Sequence, residues 1–118
     1  MHAGVSPHHT WKTVTNNTEV MYIRSLDKQD HPIPLVWVEE NGTRKLRVER
    51  EGIVWHEMYD GRFGYIISGH DSQRDGVVKY YENSCNIDTR CYDTGILAGQ
   101  IVSDGNLKEL ILVESITS

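Results

Sequence analysis

Leu35-Val36-Trp37-Val38-Glu39-Glu40-Asn41-Gly42-Thr43-Arg44-Lys45-Leu46-Arg47-Val48 is the stretch whose reading decides the fold. Leu35 to Glu39 is a β-branched and aromatic run, too short for a typical helix and well suited to a half-buried pleated strand. Asn41-Gly42 follows directly, and Asn-Gly between two such runs marks a two-residue hairpin, because both central residues of a type I′ turn need positive φ. The partner strand begins at Thr43 and runs toward Arg50, with Leu46 and Val48 alternating with charged neighbours. The chain therefore contains antiparallel sheet, and its flanks read in the same way.

Upstream, Trp11 to Thr15 and Glu19 to Ser25 read as two short strands separated by Asn16-Asn17, and Asp27 to Pro32 as a polar connection. Downstream, Glu51-Gly52 breaks the hairpin strand before Ile53 to Tyr59. Asp60-Gly61 then reverses the chain, so that Phe63 to Ser68 is expected to pair with the run before it. A polar loop from Gly69 to Gly76 leads to a strand at Val77 to Glu82, and Ile96 to Val102 continues the strand content. At the end, Asn106-Leu107-Lys108-Glu109 resembles a capping box, and Leu107, Leu110, Ile111 and Glu114 recur at three and four. That spacing predicts a short C-terminal helix over 106–114, with a strand through Leu110 to Val113 as the competing pattern. The expected fold class is α+β: a single, antiparallel β-sheet-dominated domain over residues 10–118 with a short C-terminal helix. Residues 1–9 are small, polar and turn-forming and are expected to be a flexible arm.

Composition bounds the function. The 118 residues include 38% hydrophobic and 25% charged residues, ordinary for one folded domain. A net charge of −5 supplies no broad basic field, so nucleic acid is not an expected partner. No run of about 18 apolar residues offers a transmembrane segment. The start lacks the basic-then-apolar pattern of a secretory signal, which fits either a cytoplasmic protein or a mature exported form.

Cys85 and Cys91 are the two cysteines. Along one unbroken strand they would lie roughly 20 Å apart, beyond disulfide reach, so a bridge requires a turn within Asn86-Ile87-Asp88-Thr89. Asn and Asp favour such a turn, and the alternatives are a bridged hairpin or two reduced thiols.

The six histidines form no local ligand set with workable spacing, and neither a metal nor a cofactor is expected. His8-His9 falls in the expected arm, His56 reads as a partly buried strand residue, and His70-Asp71 as a solvated turn. The chain lacks a phosphate-binding loop, a nucleophile elbow and a metalloprotease helix, so no reaction is indicated. Candidate partner-binding residues are Arg44, Lys45 and Arg47, a small cationic ridge, and the tyrosines Tyr80 and Tyr92 within the group Tyr59, Tyr65, Tyr80, Tyr81 and Tyr92. A charged edge and ordinary sheet packing are the competing explanations. Asn16-Asn17-Thr18 and Asn41-Gly42-Thr43 match glycosylation acceptors that also suit turns.

An opening Trp11, the Tyr22-Ile23 pair, Val36-Trp37-Val38, Tyr81-Glu82 followed by Cys85 and Arg90, and Gly99-Gln100-Ile101-Val102 occur in an order that resembles the bacterial surface-adhesin protein E family. The ordered features span nearly the whole chain. The resemblance implies a non-enzymatic adhesion domain, exported to the periplasm or cell surface and often lipid-anchored. It further implies a host matrix or serum protein as partner, an oxidised Cys85–Cys91 pair, and a possible homodimer formed through the sheet. The rival expectation is a cytoplasmic regulatory or inhibitory protein, such as a mobile-element product, that blocks an enzyme by surface complementarity.

Overall fold

The computed structural model describes residues 1–16, 18–33, 35–48 and 52–116, with the backbone alone for 15, 16, 18, 35–38 and 45–48. Among these residues nine strands form four small sheets, joined by a few short helical turns, a β-dominated α+β architecture. The Asn41-Gly42 hairpin forms as the local chemistry dictates. β2 (Leu35–Glu40) pairs antiparallel with β3 (Thr43–Val48), Glu40 opposite Thr43, and both turn residues have positive φ.

Around it, several expected strands are helical. Trp11–Asn16 is helix α1, because the Thr10 and Thr13 hydroxyls each accept a backbone N–H from the other residue, a reciprocal cap that outweighs the alternating pattern. Thr18–Met21 is a 3₁₀ turn and leaves only Ser25–Leu26 as β1. β1 pairs antiparallel with β4 (Ile53–Val54), after which Trp55–Met58 turns into helix α2. β5 (Ile66–Ser68) does not pair with that run. It lies parallel to β7 (Ser84–Asn86), which also pairs antiparallel with β6 (Lys79–Tyr80), so this sheet is mixed.

The C-terminal helix expected over 106–114 is a strand. β8 (Ile96–Ser103) and β9 (Asn106–Glu114) form a long antiparallel hairpin around Asp104-Gly105, both with positive φ, a second type I′-like turn. The three-and-four spacing of leucines also occurs in a strand that is apolar on both faces, and here the turn decides.

The core gathers Ala3, Val5, Ile23, Leu26, Trp55 and Ile66, with Val14, Val20, Tyr59 and Phe63 packed against it. Two of those residues come from the expected arm. Residues 3–6 and His9 are buried, which corrects the expectation of a flexible segment. Gly4 permits the contact: a Cβ there would stand 2.1 Å from the Trp55 indole, so only glycine lets the backbone lie on the ring. No helix among the described residues is long and apolar enough to cross a membrane.

Candidate functional site

The most chemically suggestive interior feature is His56. Helix α2 turns its imidazole inward, where Nδ1 lies 2.7 Å from Ser84 Oγ and Nε2 3.4 Å from Ser68 Oγ. The ring is stacked between Trp55, at 3.9 Å between centroids, and Tyr81, at 4.5 Å and nearly coplanar. A histidine hydrogen-bonded to a serine is the first requirement of a serine nucleophile. The second and third, access for substrate and an acid orienting the far nitrogen, are not met. His56 is 3% exposed and Ser84 0%, and the far nitrogen faces another hydroxyl instead of a carboxylate. Burial depresses the His56 pKa to about 4, which keeps the ring neutral and able to serve both hydroxyls. The triad is a buried polar joint between α2, β5 and β7. Its two serines were missed by sequence reading because the contacts span 12 and 28 positions and leave no local pattern.

The cysteines do not form the expected disulfide. Cys85 is buried in β7 and Cys91 is exposed at the start of α3 (Cys91–Thr94), both as free thiols. The turn in this region falls before Cys85, at Tyr81 to Ser84, so that Tyr80 stands opposite Cys85. After β7, Asn86 Oδ1 accepts from Asp88 N and Asp88 Oδ1 from Arg90 N, two successive side-chain turns. Asn86 Nδ2 donates to the Asp71 carbonyl and Gln73 N to the Asp88 carbonyl, which carries the chain to the 69–76 loop and away from Cys85. Burial raises the Cys85 pKa, with Tyr65 beside it opposing, so this thiol is not activated as a nucleophile.

The partner-binding candidates are dispersed. Tyr80 is half exposed and donates its hydroxyl proton to Gln100 Oε1 at 2.7 Å, a structural tie between β6 and β8. Tyr92 projects from α3 at 81% exposure, with the Arg90 guanidinium 5.4 Å from its ring centroid. Arg44 is exposed opposite Glu39, near the β2–β3 turn. The side chains of Lys45 and Arg47 lie outside the described residues, so the ridge is placed only by register, opposite Val38 and Val36. No group of three or more His, Cys, Asp or Glu among the described residues is placed to hold a metal ion. A dent beside Val5, Pro7, Tyr59 and Phe63 has room for about one water molecule.

The feature that sequence reading did not anticipate is the outer face of the β8–β9 hairpin. The register puts Leu97 opposite Val113 and Gly99 opposite Ile111, with Ile101 continuing the same face. Leu97 is 60% exposed and Val113 56%, and Ile101 and Ile111 are exposed as well. On the other face Ile96, Ala98, Gln100 and Leu110 are half-buried, while Leu112, opposite Ala98, is 54% exposed. Where the register shifts between Gln100 and Val102, the Gln100 amide donates to the Lys108 carbonyl at 3.0 Å and so satisfies the irregularity from within. Among the described residues β8 and β9 pair only with each other. The Asp104-Gly105 pair between two apolar runs was the signal that could have revealed the hairpin. Searches of family models, curated proteins and solved structures return no match to this chain.

Proposed function

We propose that this chain is a non-catalytic protein-binding domain whose working surface is the outer face of the β8–β9 hairpin, and that a second copy of the chain is the first partner of that face. The observation that carries the reading is the contiguous apolar set Leu97, Ile101, Ile111 and Val113 standing in water on a two-stranded sheet. An isolated hairpin is marginally stable in water at best, and exposed apolar patches on folded chains mark contact surfaces.

Area supports the second copy. The chain exposes 8192 Å², whereas a folded monomer of this mass exposes about 6,500 Å². The excess of about 1,700 Å² is more than the ~800 Å² that each partner of a standard interface buries. The radius of gyration, 15.7 Å, is likewise above the ~13.5 Å of a compact domain this long. The four apolar side chains carry no charge, and the charges next to them on β9, Lys108 and Glu109, are of opposite sign.

In the adhesin reading, which the resemblance to protein E supports, such a dimer is exported and presents Arg44, Tyr92 and the Lys45–Arg47 strand to a host matrix or serum protein. The free, separated thiols of Cys85 and Cys91 favour the rival, a cytoplasmic regulatory protein that uses the same surface, because unpaired cysteines persist in reducing compartments. Equilibrium sedimentation of wild type and Ile111→Lys tests the shared claim. Wild type is expected to associate, and the variant to be monomeric with a monomer stability changed by no more than ~0.5 kcal/mol. Equal association of the two proteins rejects the face.

A further inference from the structure

The N-terminal segment is held down by histidines. Ala3 N donates to the Val20 carbonyl at 3.0 Å and Gly69 N to the His2 carbonyl at 2.9 Å, and Gly4 covers the Trp55 indole. Beyond this backbone pairing, side-chain contacts fix the segment at two ends. At its far end His9 Nδ1 accepts from Ser6 N at 2.8 Å, which leaves the proton on Nε2, 3.1 Å from Glu19 Oε2. His8 Nε2 meets the Gln29 carbonyl at 2.8 Å and its ring packs on His31, with the Asp27 carboxylate nearby. At the near end His2 Nε2 lies 3.1 Å from His70 Nδ1.

The two ends differ in the charges that surround them. At the far end a carboxylate stands beside the rings, Glu19 Oε2 3.1 Å from His9 Nε2 and Asp27 near His8 and His31. His70 instead faces Arg24, with Asp71, ion-paired to Arg24 at 3.7 Å, and Asp88, beside Gly69, as the opposing carboxylates; the Tyr22 backbone also contacts it. The Met1 nitrogen adds a donor to the Ile67 carbonyl. A hydrogen bond between two imidazoles needs one bare nitrogen as acceptor. When both rings are cationic the acceptor is gone and two like charges stand in its place.

We propose that residues 1–5 form a proton-operated latch, closed by the His2–His70 hydrogen bond and released from Trp55 when both imidazoles are protonated. Opening uncovers the face of the Trp55 indole on which Gly4 lies, so acid changes the apolar surface that the domain offers. The direction agrees with the environment of His70, whose pKa is lowered by burial, then by Arg24 and His2. A base with a lowered folded pKa supports the closed state fully above its unfolded value of 6.5, and that support is lost as pH falls below it.

Hydrogen exchange read by mass spectrometry, corrected for the intrinsic pH dependence, tests the latch at about pH 7.5 and about pH 5.5. In the wild-type chain, protection of Ala3 to Ser6 should fall about tenfold more at the lower pH than that of Ser84 to Asn86, whose own decline follows the protonation of His56. His2→Gln alters an exposed residue and keeps a hydrogen-bonding side chain that does not titrate, so its N-terminal protection should fall no more than that of Ser84 to Asn86. Three results overturn the proposal: unchanged wild-type protection of Ala3 to Ser6 at the lower pH, a loss there equal to that of Ser84 to Asn86, or an excess N-terminal loss that persists in His2→Gln.

Discussion

The β5–β7–β6 sheet and the β8–β9 hairpin are built from different residues and face opposite surroundings. In the first, Ser84, Cys85 and Asn86 are all buried, and each polar group has a partner: Ser84 meets His56, and Asn86 meets Asp71 and Asp88. In the second, leucine, isoleucine and valine stand in water on a sheet with no third strand among the described residues. Polar groups inside and apolar groups outside reverse the usual distribution, and each half of the reversal has its own physical meaning. The buried polar joint, fully satisfied and closed to substrate, specifies how α2, β5 and β7 meet. The exposed apolar face is the surface on which the proposed second copy would sit.

The largest test of this contrast concerns the closed region. Trp55 is almost wholly buried, with Gly4 on one side and His56 stacked against it, so Trp55→Ala should destabilise the domain by about 4 kcal/mol in denaturant unfolding. A loss below ~1 kcal/mol would show that the core lies elsewhere.

Next comes pH. His56 is neutral in the folded state with a pKa of about 4 against 6.5 when unfolded, so its contribution is complete above pH 6.5 and declines as pH falls toward 4. The decline amounts to about 3 kcal/mol for a shift of this size. Unfolding free energies measured across that window should flatten in His56→Gln, and an unchanged slope in the variant would remove His56 as the cause.

The smallest effect belongs to the open region. Gly105 has φ 74° in the β8–β9 turn with nothing near a would-be Cβ, so Gly105→Ala costs only backbone strain, about 1 kcal/mol. Amide protection should fall within 97–113 and persist at 84–86. Loss at both would mean that hairpin and core unfold as one unit.

The same contrast explains what could be read in advance. The β2–β3 hairpin was legible because Asn41-Gly42 specifies its turn within two residues. The β8–β9 strands were half legible: Ile96 to Val102 read as strand, whereas the leucine spacing of 107–114 imitates a helix and its Asp104-Gly105 turn carries the decisive information. Trp11 to Thr15 alternates like a strand, whereas the reciprocal Thr10–Thr13 cap that makes it a helix leaves little local signal. The N-terminal segment looked unstructured since Ala3, Gly4 and Val5 have little local preference, and their order comes from Trp55, some fifty positions away. His56 was visible as a histidine with a packing role, but its serine partners depend on a parallel pairing that no local pattern encodes.

Small-angle X-ray scattering of the wild-type chain over a concentration series tests the central claim most directly. If the outer face of β8–β9 is the working surface, particle mass should rise to twice that of the 118-residue chain as concentration increases, and Ile111→Lys should hold it at the monomer value. A wild-type particle that keeps the monomer mass and a radius of gyration near 15.7 Å throughout would contradict the account.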